Sequence, residues 1–187
     1  MTGVQTCALP ICYVTATKAT DGTNPEVASS STKITFAKAW PVCTVVPYNV
    51  TYTGTQRTAT GTCVGVEGDG ELAGLSLTGT RHTNAGTYDD DPWTFTDASG
   101  DYLDASGTVD DVIVKAAPTC TVVGYNVTYT GAQQQAAGSC RGVPADGLLS
   151  GLVLTGTRHT NAGTYNGDAW AFTDVTGNYA NASGTVD

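Results

Sequence analysis

Positive charge is scarce in this chain: 8 lysines and arginines stand against 17 acids among 187 residues, a formal net charge of −9. Such a surface repels a phosphate backbone, which disfavours nucleic acid as a partner, and none is expected. Long apolar runs are missing too, so no segment reads as a span across a bilayer. There is little helical periodicity, no CxxC motif and no D-x-[DN]-x-[DN]-G loop. These absences leave neither a clustered zinc site nor a loop built for calcium. Only two histidines are present. What the chain does have is 23 glycines, a threonine-rich background and only 13% charged residues, the composition of an all-β protein with many turns.

The chain repeats itself. Residues 43–110 and 120–187 align without a gap at an offset of 77, and 47 of the 68 paired positions are identical. YNVTYTG begins at Tyr48 and again at Tyr125, and LTGTRHTNAGTY begins at Leu77 and again at Leu154. A repeat of this size is a small domain, so each unit is expected to carry its own core, and a single catalytic centre is not expected. KITFAKAWPVCTVV from Lys33 aligns with DDVIVKAAPTCTVV from Asp110, placing Lys38 opposite Lys115 and Pro41 opposite Pro118. The boundaries read from this are residues 13–40 as the C-terminal remnant of a preceding repeat, 41–117 as a complete repeat and 118–187 as a repeat lacking its final strand, since Asp187 matches Asp110.

Within one unit, residues 42–52 are rich in Val, Tyr and Thr, and Thr53-Gly54 supplies a turn before residues 56–66. The pair reads as a β-hairpin. Residues 72–75 suit one helical turn and residues 77–82 a strand. Trp93 and Phe95 then mark a strand of period two, and residues 109–114 close the unit. Six or seven short strands in about 77 residues favour a β-sandwich, with a β-grasp-like module as the alternative. The succession Y-x-G-T, T-N-A-G-T-Y, W-T-F-T-D, A-S-G-T-V and a closing I-x-K-A resembles the MBG or YDG-type Ig-like repeats of large bacterial surface and adhesin-like proteins. Tyr52-Thr53-Gly54 departs from the usual Tyr-Asp-Gly of that family. The resemblance implies tandem Ig-like β-sandwich repeats in a structural or adhesive array outside the cell.

The first residues stand apart. MTGVQTCALPI resembles the translation of a common sequencing adapter, so residues 1–12 are set aside from the fold. A secretory signal would need a basic start and a longer apolar run.

Four cysteines carry the sharpest local signal. The midpoint between Cys43 and Cys63 falls on the Thr53-Gly54 turn, which puts them opposite one another across the expected hairpin, and Cys120 and Cys140 repeat the arrangement. Even numbers of cysteines in small secreted β-domains usually staple a modest core, so two disulfides within the repeats are expected. His82 and His159 stand alone in each unit before a turn and read as solvated hairpin residues rather than catalysts or ligands. Asp89, Asp90 and Asp91, with Asp97, Asp101 and Asp104, offer hard oxygen ligands suited to calcium. The second repeat keeps only Asp168 and Asp174 of these six, which favours solvated turns over a shared metal site. Trp93 and Trp170 suit either the core or a sugar platform, and their step with Phe95 and Phe172 favours the core.

The expectation is therefore a non-catalytic, cofactor-free piece of a large secreted or cell-surface protein, a stalk or spacer whose partners are its neighbouring repeats. The alternative is an adhesive module for an extracellular protein or glycan.

Overall fold

The computed structural model describes residues 2–8, 11–18, 22–23, 27–30 and 32–187. Met1, Leu9 and Pro10 of the set-aside leader, and residues 19–21, 24–26 and 31 of the remnant, lie outside the described residues. The fold is all-β, in several sheets consistent with a sandwich. In chain order the strands are β1 (Thr2–Ala8), β2 (Ile11–Lys18), β3 (Val27–Ala28), β4 (Thr32–Thr35), β5 (Val42–Val46), β6 (Asn49–Thr51) and β7 (Thr60–Val64). There follow β8 (Glu71–Leu72), β9 (Leu75–Ser76), β10 (Gly86–Phe95), β11 (Ala105–Val114), β12 (Thr119–Val123) and β13 (Ala137–Arg141). The last are β14 (Leu148–Leu149), β15 (Leu152–Val153), β16 (Asp168–Phe172) and β17 (Ala182–Val186). The helical elements among the described residues are the 3-10 turns Thr78–Thr80 and Thr155–Thr157, which leaves the β-grasp alternative without its helix.

Contacts divide the chain into two units, one of Met1–Thr44, Thr62–Leu75 and Thr94–Ala105, the other of Val45–Gly61, Ser76–Trp93 and Ser106–Asp187. In the first, β1 pairs antiparallel with β2 from Thr2↔Thr17 to Ala8↔Ile11, so the set-aside leader is itself paired. β2 also pairs with β3 and β4. A parallel bridge joins Ala39 to Tyr102, and the Lys38 ammonium donates to the Tyr102 carbonyl at 3.1 Å. Asp97 organises the turn below Phe95. Its carboxylate accepts from the amides of Ser99 at 3.1 Å, Gly100 at 2.8 Å and Tyr102 at 3.0 Å. The Tyr102 amide contributes most to holding the Asp97 carboxyl down at about 2.

The second unit contains a hydrophobic core built from Tyr52, Ile113, Ala116, Cys140, Phe172 and Tyr179. Here the expected hairpin is corrected. After β5 the chain leaves that sheet at Pro47, which has no amide hydrogen to extend a ladder, and β6 joins a different sheet. It pairs there in parallel with the end of β11, in the register Val112↔Asn49, Ile113↔Val50 and Val114↔Thr51. The two-residue turn at Thr53-Gly54 thus joins no adjacent strands, and the partner of β5 is the later strand β7. A second correction concerns residues 72–82, where strand and helical turn fall in the reverse order. Leu75 lies in β9, and the helical turn is Thr78–Thr80, closed by the Thr80 hydroxyl donating to the Leu77 carbonyl at 3.0 Å.

The second unit also holds the junction between the repeats. The Tyr52 hydroxyl donates to Asp146 Oδ2 at 2.9 Å, and its ring meets that of Tyr179 edge to face at 5.5 Å. Nearby, the Ala85 amide donates to Asn178 Oδ1 at 2.8 Å, and Ala116 forms a parallel bridge with Tyr179. That bridge is the counterpart, 77 residues on, of the bridge between Ala39 and Tyr102. Gly54 adopts φ +77°, and a Cβ there would lie 2.8 Å from the Ala145 methyl, so the close approach requires glycine.

Candidate functional site

The disulfides are present as Cys43–Cys63 and Cys120–Cys140, each spanning 20 residues within its own repeat. Cys120 and Cys140 are direct cross-strand partners in β12 and β13. The opposition read from spacing therefore survives, although the intervening chain takes a longer route through β6.

The histidines are not solvated hairpin residues. His82 Nε2 donates to Asp91 Oδ2 at 2.7 Å, and the imidazole stacks on Tyr88 with ring centroids 3.5 Å apart. The second repeat reproduces this with His159, Asp168 and Tyr165 at 2.7 Å and 3.5 Å. The reason lies in the backbone. Asp90 sits at φ +58°, and Gly167 takes the same left-handed conformation at +74°. In the first repeat this break in the alternation of β10 leaves Asp91 buried while Asp89 and Asp90 stay exposed. Its left-handed residue is anchored by the Asp90 amide, which donates to Asp110 Oδ1 at 3.0 Å, as Gly167 does to Asp187 at 2.7 Å.

In the complete repeat a second carboxylate closes over this pair. Asp111 is fully buried, and its Oδ1 accepts from the Tyr48 amide at 2.8 Å while Oδ2 has no partner. Burial pushes the Asp111 carboxyl above its ordinary range, the Tyr48 amide opposes this, and the nearby Asp91 charge adds to the rise. Tyr48 is pushed up to about 12, first by burial and then by Asp111. Its hydroxyl donates to the Thr80 carbonyl at 3.2 Å. The Thr80 hydroxyl donates to the Leu77 carbonyl and accepts from the Ala59 amide at 2.9 Å.

A raised folded-state value means that the native state binds a proton more readily than the unfolded chain. Stability from Asp111 is thus present below the unfolded carboxylate value and is lost as pH rises through the higher folded value. Asp111→Asn keeps the acceptor for Tyr48 and supplies a donor towards Asp91. This variant is expected to be at least as stable as the parent at neutral pH and to lose that share of the pH dependence, as read by urea unfolding at pH 4 and pH 7.

The last repeat presents the same site open. Residues 126–128, counterparts of β6, pair with no strand among the described residues, and a cavity of about 410 Å³ lies along them, lined by Tyr125, Val127, Tyr129, His159, Tyr165 and Asp168. The Tyr125 hydroxyl is buried without a hydrogen-bond partner.

The acids considered for calcium are occupied or dispersed. Asp91 is bonded to His82, Asp97 caps its turn, and Asp104 accepts from the Asp97 amide at 3.0 Å. Asn181 makes the same contact to Asp174 at 3.0 Å, so an amide oxygen suffices there. Among the described residues no group of three His, Cys, Asp or Glu side chains is arranged to hold a metal ion. Trp93 and Trp170 are half-buried, their indoles lying against Gly107 and Gly184, on the same strand faces as the buried Phe95 and Phe172. Sequence reasoning missed the His–Asp pairs and the tyrosine junction. A signal was available for the pairs, since of those six acids the second repeat keeps only Asp168 and Asp174, and Asp168 is the one bonded to His159 while Asp174 accepts from the Tyr179 amide. Comparison with family models, curated proteins and solved structures returns no match for this chain.

Proposed function

We propose that the chain is a non-catalytic part of a large secreted or cell-surface protein, in which β repeats act as a stalk or spacer. The observation that carries this reading is the junction in the second unit, where Tyr52 is bonded to Asp146 and packed on Tyr179. A tether meant only to connect needs no such contact, whereas a spacer that holds its reach must resist bending between repeats. The two disulfides suit an oxidising compartment, and no helix among the described residues is long and apolar enough to cross a membrane. An adhesive role for a protein or glycan ligand is the second part of the reading, and the inward-facing tryptophans give it less support than the junction gives the spacer.

Nuclear relaxation of the backbone amides tests the spacer. Residues on both sides of the junction are expected to share one correlation time in the parent chain. In Tyr52→Ala the last repeat should reorient faster while keeping its amide dispersion. Independent reorientation in the parent, or an unchanged Tyr52→Ala, rules out a stiff junction.

A further inference from the structure

We infer that the chain cuts itself at the Asp91–Pro92 peptide bond, with the Asp91 carboxylate as nucleophile and the buried Asp111 carboxyl as proton donor. Three irregularities converge on that bond. Asp90, just before it, is the one non-glycine residue with a positive φ among the described residues, a conformation that stores strain. Pro92 lies inside β10, which is flanked in its sheet by β9 and β11, and a proline there forfeits a ladder bond. Asp91 is only 8% exposed, and with it lies Asp111, whose Oδ2 is buried without a hydrogen-bond partner. The second repeat keeps the bond between His159 and Asp168 but has Gly167 and Ala169 on either side of that acid. Pairing of His with Asp therefore needs neither the strained residue nor the proline. The sequence holds no other Asp-Pro step.

The chemistry needs a carboxylate and a neutral acid side by side. The groups facing Asp111 are Asp91 on β10, His82 after the 3-10 turn and Tyr48 before β6, with Tyr88 stacked on His82. His82 Nε2 donates to Asp91 Oδ2 at 2.7 Å and fixes that carboxylate in place. Burial first, with the Asp91 charge adding to it, holds the proton on Asp111 above the ordinary carboxylate range. An oxygen of the Asp91 carboxylate adds to the Asp91 main-chain carbonyl carbon and closes a cyclic anhydride. The bond from that carbon to the Pro92 nitrogen breaks as the nitrogen takes the Asp111 proton and leaves as a secondary amine. Water reaches this point because Pro92 is exposed. It opens the anhydride to two carboxylates at Asp91, returns one proton to Asp111 and places the other on the new Pro92 amine. Each chain reacts once and turns over no other substrate.

The test holds the folded 187-residue chain at about pH 5 and about pH 8 and follows fragments by intact mass and N-terminal sequencing. Fragments 1–91 and 92–187 are expected, and they should part on a non-reducing denaturing gel, because Cys43–Cys63 and Cys120–Cys140 each lie on one side of the cut. Cleavage should be about tenfold or more faster at the lower pH, since Asp111 gives up its proton as pH rises. Asp111→Asn, which keeps the acceptor for Tyr48, should slow cleavage about a hundredfold, the scale of a lost general acid. Pro92→Ala should slow it as well and leave the Asp168–Ala169 bond as an uncut control. The parent unfolded in urea at the same pH measures the intrinsic lability of an Asp-Pro bond and should be cut more slowly. No new Pro92 terminus in the folded chain within the time that the unfolded chain is cut, equal rates in the two states, an undiminished Asp111→Asn, or a rate indifferent to pH would each overturn the assignment.

Discussion

Tyr179→Ala is expected to destabilise the last repeat by about 3–5 kcal/mol, the range for deleting a buried aromatic ring. The side chain is only 1% exposed. Its hydroxyl accepts from the Val143 amide at 2.9 Å and donates to Asp146 Oδ2 at 2.5 Å, the same oxygen that Tyr52 uses. Gly142 leaves room for it, since a Cβ there would lie 2.2 Å from the hydroxyl. Tyr179→Phe keeps the ring and removes the bonds, with an expected cost of about 1–3 kcal/mol. A double-mutant cycle of Tyr52→Phe with Tyr179→Phe should show coupling, because both hydroxyls share one acceptor. Strict additivity would mean that Asp146 does not link the repeats.

Titration gives a second reading of the same residue. Burial, then the bond to Asp146, pushes Tyr179 from its ordinary 10.0 up to about 12. With the folded value above the unfolded one, this contribution to stability is complete below pH 10 and is lost as pH rises through 12. Phenolate absorbance should therefore appear late for Tyr179 and coincide with loosening of the last repeat.

Replacing Cys43 and Cys63 together by alanine is expected to cost about 3 kcal/mol, and replacing Cys120 and Cys140 a similar amount, from the chain entropy that a loop of this length restores to the unfolded state. Both Cys63 and Cys140 are 0% exposed, so loss of packed sulfur adds to the cost. Urea midpoints of the oxidised parent, the reduced parent and each double variant separate the two repeats. Identical midpoints with and without reductant would show that the bridges do not hold the sheets, and peptide mapping that linked Cys63 to Cys120 would contradict their placement. Full loss of folding in one double variant would still be informative, because the other bridge should keep its own repeat protected against hydrogen exchange.

What could be read in advance follows the physics of local pattern. Period-two alternation and turn residues report on the nearest neighbours along the chain, and with the composition they were enough for the all-β class and for the inward set of Trp93 and Phe95. The cysteine pairing was legible for a different reason: both copies space the two cysteines alike, and opposition across neighbouring strands tolerates errors in the connecting turn. The route between them was misread because Val, Tyr and Thr continue past Pro47 without a change in composition, while the missing amide hydrogen sends the chain to another sheet.

Composition, the 77-residue period and the cysteine spacing by themselves determined a β-rich, acidic, repeated chain stapled within each repeat. The tertiary structure alone decided that β6 lies parallel to the end of β11, that Asp91 turns inward to His82, and that Tyr52 reaches Asp146 across 94 residues of sequence. Those contacts depend on one left-handed residue in a strand and on the approach of segments far apart in the chain. Neither leaves a periodic trace, because burial there is settled by which surface the fold brings near, not by the residues on either side.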